Sequence, residues 1–338
     1  MKKTQLAIII IIIAAVAIAG AFIYQKSVGV KPQSTNISEL PSQIDEKKLE
    51  SVFEDEGVGR WGFAATPGAI CFATSDMTIK RFELGSGEKE TVINPEQKFD
   101  AVKLVTAGQS CLVEFFGAEK NVLYLVDTGG KANKINYDAV GPVEAKYKYY
   151  VVRTPEENVI LSELGEVVQK VADKEGEIFA LAPISNENYF AVFNYDSEAK
   201  LGSLGLLETG APLFEIDVEN IYSLYANPGA AFYGYQEGTG LFANLVSRKG
   251  KLLKKLVNPD PGSVFATKDG FYFVTKPGGT EDLSNNGNGI GYISNSGQVN
   301  NIISSTAETE KQYSFGSVQK VGDILYASEG NAIYKVSI

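Results

Sequence analysis

The chain has 338 residues, 44% hydrophobic and 21% charged, with 31 Lys and Arg against 41 Asp and Glu and a formal net charge of −10. That acidic balance argues against a nucleic-acid ligand, whose phosphates call for a basic surface. No histidine occurs anywhere, which removes Ser-His-Asp and Cys-His catalysis and imidazole-based metal centres.

Taken in chain order, residues 1–26 begin with Lys2 and Lys3 and continue through an uncharged run from Leu6 to Tyr24. At helical rise the run spans about 28 Å, one hydrocarbon core, and predicts a single transmembrane anchor. The two lysines keep the N-terminus cytoplasmic and place the rest of the chain outside. A cleaved signal peptide is the alternative, because Ala17-Ile18-Ala19 has the small-x-small form; the protein is then secreted. Residues 27–45 are polar, carry two prolines and predict a flexible linker.

From Trp61 onward one pattern returns: strand, glycine turn, strand. LYLVDTGGKANKI (123–135) is one instance, and the turn glycines Gly87, Gly130, Gly165, Gly210, Gly250 and Gly297 mark six. Between hairpins lie two further strand-like runs, such as DAVKLVTAG (100–108) and QSCLVEFFG (109–117). Four short strands in about 42 residues predict a β-propeller blade. The expected blades are 61–94, 99–136, 138–172, 177–218, 221–257, 262–303 and 313–338, the last with only three strands. LESVFED (49–55) supplies the missing strand if the ring closes through the N-terminal end of the domain. Its apolar residues Leu49, Val52 and Phe53 also fit a helix, and closure favours the strand. The predicted fold is therefore all-β: a seven-bladed propeller over 46–338, preceded by one N-terminal transmembrane helix.

In these repeats the chain resembles the WD-repeat-like and quinoprotein-like propeller superfamily. The blades lack the Gly-His and Trp-Asp pairs of WD repeats, and Trp61 is the only tryptophan. The resemblance implies the fold and transfers no functional residue.

Catalytic, cofactor and metal motifs are missing, and the expectation is a non-enzymatic protein without a cofactor. DTGGK (127–131) lacks the phosphate-loop form and reads as a hairpin turn. Tyr222, Tyr225, Phe232, Tyr233 and Tyr235 read as packing between blades. Cys71 and Cys111, taken in one register, point the same way about 10 Å apart and predict two buried free thiols.

Charge is distributed unevenly. The loops joining second to third strands, and one blade to the next, share one face of a propeller and carry most of the acids; the opposite turns are balanced. The expected acidic binding face comprises Glu119, Glu156, Glu157, Asp173, Glu175, Asp196, Glu198, Asp217, Glu219, Glu281 and Asp282. It suits a protein partner with a basic patch, or a divalent cation bridging loops. The function read from the sequence is a membrane-anchored, extracytoplasmic binding or scaffolding module. The alternative is a carbohydrate-binding or carbohydrate-active propeller.

Overall fold

The computed structural model describes residues 49–173, 178–208, 211–257, 259–275, 289–304 and 314–338. These form seven four-stranded sheets. Six follow the chain: blade one 63–93, blade two 101–135, blade three 144–172, blade four 178–219, blade five 221–257 and blade six 259–304. Blade seven takes three strands from 315–336 and its fourth from Leu49–Glu54. The fold is a seven-bladed β-propeller.

The repeating hairpin has a simple local cause. Gly130, Gly165, Gly250 and Gly297 donate to the carbonyls of Asp127, Ser162, Ser247 and Ser294 at 3.1, 2.9, 3.0 and 2.9 Å. Each of these glycines has φ between +75° and +87°, the left-handed region a side chain resists. The Asp or Ser side chain accepts from the amide four residues on, at Lys131, Glu166, Lys251 and Gln298. The underlying motif is thus Asp/Ser-x-x-Gly. Of the six turn glycines, Gly210 lies outside the described residues.

Side chains alternate between the two neighbours of each blade, as period-two strands require. Ile70 and Phe72 pack with Tyr326 and Ile333 of blade seven, while Cys71 and Ala73 pack with Val113 and Phe115 of blade two. The outermost strands, such as Lys89–Ile93 and Leu252–Val257, are largely exposed. First strands of every blade except the fourth line a central cavity of about 220 Å³.

Residues 49–54 are a strand and not a helix. Leu49 pairs with Val336 and Glu54 with Ala332, and Phe53 reaches across to Phe72 and Phe82 with ring centroids 4.8 and 4.6 Å away. Helix formation begins only beyond Asp55, whose carboxylate caps Glu56–Trp61 by accepting from Gly57 N at 3.1 Å.

The expected transmembrane segment and linker, 1–45, lie outside the described residues. Among the described residues no helix is long and apolar enough to cross a membrane. The helix Glu56–Trp61 spans about 9 Å against a core of about 30 Å. No described helix therefore supports the expected membrane anchor, its single-pass topology or the extracytoplasmic placement that rested on it.

The cysteine geometry is also corrected. Blade one joins its first two strands through two residues, between paired Thr66 and Ala69, and blade two through four, between paired Thr106 and Cys111. The two cysteines therefore do not occupy matching registers, and a one-residue offset turns a side chain to the other face. Cys71 faces blade two, Cys111 faces blade one, and both sit buried and unbridged in one core cluster.

Candidate binding surface at the loop end of blade four

Blade four has unusually long strands: Asn188–Asp196 and Ala211–Glu219 have nine residues each, and Leu201–Glu208 has eight. Their acids meet at one end. Asp196 and Glu219 both pair with Leu201 from opposite sides, and Asp217 pairs with Ser203. Asp196, Glu198, Asp217 and Glu219 are all exposed. The Asp196 carboxylate accepts from the amides of Ala199 and Glu198 at 2.9 and 2.8 Å, which holds its pKa below the usual carboxylate value.

Two aromatic residues that sequence reasoning missed complete this end. Phe179 and Tyr195 stack with centroids 4.1 Å apart, and Phe179 and Leu201 remain 37% and 50% exposed. The register slips between Phe193 and Asp196, where Asn194 takes φ +52°. That irregularity re-aims Tyr195, so strict alternation along NYFAVFNYD could not place it.

The other expected acids divide. Glu119 and Glu156 are exposed in turns, and Glu157 pairs with Lys170. Asp173 is turned inward: its carboxylate accepts from Ile178 N at 3.1 Å and from the Asn158 amide at 3.4 Å. With Arg153, which donates to the carbonyls of Ile178 and Phe179, it ties blade three to the first strand of blade four. Glu175, Glu281 and Asp282 lie outside the described residues. Among the described residues, no group of three or more acidic or cysteine side chains is placed to hold a metal ion.

The channel carries charge that the sequence reading did not single out. Lys146 is 3% exposed; its ammonium donates to Leu224 O at 2.6 Å, lies 3.4 Å from Glu144 and sits 4.1 Å over the Tyr225 ring. Lys103 lines the same cavity, and burial pulls its pKa down. Glu144 is the one carboxylate lining it among the described residues. Behind it, fully buried Glu114 accepts from Val143 N at 2.8 Å and Asn121 Nδ2 at 2.9 Å, and burial raises its pKa. Lys103 and Glu114 are cross-strand partners. A charge inside each of the apolar runs AVKLVT and CLVEFF was the available signal.

The architecture and this channel define a member of the β-propeller class. No protein family matches the sequence, and no curated protein does either. Among solved structures the chain is similar to PorZ, an essential bacterial surface component of the type-IX secretion system of Porphyromonas gingivalis. The TM-score is 0.52 at 8% identity, over 85% of this chain and 38% of that one. It is also similar to BamB from Moraxella catarrhalis (TM-score 0.46, 12% identity, 86% and 100% coverage). A third likeness is to the C-terminal WD40 domain of Sif2 (TM-score 0.49, 11% identity, 88% and 99% coverage). At such identities the likeness shows the fold alone, and the chain spans well under half of PorZ.

Proposed function

We propose that this propeller is a non-catalytic protein-binding module that docks a partner bearing a basic patch on the loop end of blade four. The observation that carries this reading is exposed Phe179, stacked on half-buried Tyr195, and exposed Leu201, bordered by Asp196, Glu198, Asp217 and Glu219. An apolar centre with a charged rim is the anatomy of a protein interface, and acids serving solubility alone do not need stacked rings beside them. The non-catalytic part is supported by the channel: Glu144 and Lys146 pair with each other, and Lys146 is further held by a carbonyl and a ring.

The test compares two variants in capture of protein partners by the immobilised chain. Replacing Asp196 and Asp217 by Asn and Glu198 and Glu219 by Gln removes four charges with little change of shape. Replacing Lys249 and Lys251 by Gln alters the opposite end of blade five. The first variant is expected to lose the captured partner with little change in melting temperature, and the second to keep it. Capture by the unmodified chain should weaken as salt rises, since exposed charges are screened beyond about 8–10 Å near physiological ionic strength. Equal capture by the four-acid variant, insensitive to salt, would refute the reading.

A further inference from the structure

Cys71 lies in the second strand of blade one, Ala69–Ala73, and Cys111 begins the second strand of blade two, Cys111–Phe116. The alternation of both strands is fixed by their neighbours. Ile70 and Phe72 are committed to blade seven and Leu112 to blade three, which leaves Cys71 and Cys111 on the two faces that meet. Beside Cys71 the blade-one side of that boundary carries two small residues, Ala64 and Ala73. Besides burial, Cys71 is the neighbour that raises the pKa of the Cys111 thiol. Two buried thiols thus face each other across one blade boundary, within a single apolar cluster.

We propose that Cys71 and Cys111 are a dithiol pair that closes to an intramolecular disulfide, stapling blade one to blade two, when the chain folds in the presence of a small-molecule disulfide. One protein thiolate attacks the oxidant's disulfide and expels one small thiolate. The second protein thiolate then attacks the mixed disulfide and expels the other. The protein loses two protons and two electrons, and the oxidant is reduced to two thiols. Bonded sulfurs lie about 2.05 Å apart with their Cα atoms within about 7 Å, so closing the bond draws the two second strands together. Timing follows from burial. Both thiols are at most 2% exposed, and burial pushes the Cys111 thiol well up, so thiolate is scarce once the blades have closed. Exchange therefore belongs to folding, before this boundary forms.

The experiment refolds the full chain from denaturant in two buffers, one with reduced and oxidised glutathione and one with excess reductant. Intact mass and thiol titration under denaturing conditions are then read. The glutathione sample is expected to be two hydrogens lighter, to show no titratable thiol and to melt higher than the reduced sample. The chain already folded and then given oxidised glutathione should keep both thiols over the same period. A Cys71→Ala variant should show no mass loss and the same melting temperature in both buffers; if it does not fold, Cys111→Ala serves as the same control. Two free thiols after oxidative refolding, a stable glutathione adduct on either cysteine, or only intermolecular dimers would overturn the proposal.

Discussion

Charged residues buried near the channel show how a side chain's surroundings decide what its charge costs. Lys146 has a carbonyl, a carboxylate and a ring face within reach. Lys103 has no hydrogen bond among the described residues and feels Glu144 and Glu114 only through the field between them. Burial is the largest influence on it and lowers its pKa, so in the folded chain the ammonium is disfavoured. The folded chain then releases that proton at lower pH than the unfolded chain. Stability attributable to Lys103 is therefore least at neutral pH and rises as pH climbs through the depressed value towards the ordinary 10.5. Lys103→Met should raise stability at neutral pH by about 1 kcal/mol, seen as a melting temperature a few degrees higher. A lower melting temperature would mean that the attraction of Glu144 and Glu114 outweighs desolvation.

At the scale of single elements, the helix Glu56–Trp61 cannot stand alone, because six residues barely exceed the nucleus a helix must form. It persists because Asp55 caps it and because Gly57 and Val58 are buried. A Cβ on Gly57 would lie 1.8 Å from the Ala73 carbonyl oxygen, backbone that belongs to the second strand of blade one. Gly57→Ala should therefore lower stability by about 3 kcal/mol, measured by denaturant unfolding. A loss within a few tenths of a kcal/mol would show that the helix shifts freely and does not brace the blade. The Asp/Ser-x-x-Gly hairpins are the opposite case. Their bonds close within five residues, so their positions were legible from the sequence, whereas the place of this helix depends on a strand that comes later in the chain.

For the whole molecule the decisive feature is closure. Blade seven is completed by Leu49–Glu54, and Phe53 carries that strand's packing on to blade one. On the inner side, Gln319 of blade seven accepts from Ala65 N and donates to Phe63 O, both at 2.7 Å, as a strand would. Two joints at different radii thus shut the ring. A chain beginning at Gly57 should melt well below one beginning at Pro41 and should aggregate, because the exposed edge of Ala332–Val336 then offers unpaired amides. Gel filtration and thermal unfolding of the two chains provide the comparison. Identical melting would mean that the fourth strand contributes nothing to closure.

The sequence by itself determined what is local and what repeats: strand periodicity, the turn glycines, four strands per unit and the need for a closing strand. The reason is that a propeller blade is specified by short-range turns and by alternation, both written within about 42 residues. Of the candidate site, the acids Asp196, Glu198, Asp217 and Glu219 were visible as charges on one set of loops. Their meeting around Phe179 and Tyr195 was not, because the irregularity at Asn194 overrides alternation. Asp173 looked like its neighbours and faces inward, since Ile178 N and the Asn158 amide need an acceptor at the blade boundary. Cys71 and Cys111 looked parallel and are opposed, because turns of two and four residues set different registers in adjacent blades. Which side chains meet across a boundary depends on register and bulges in two sheets at once, and only the tertiary structure sets those together.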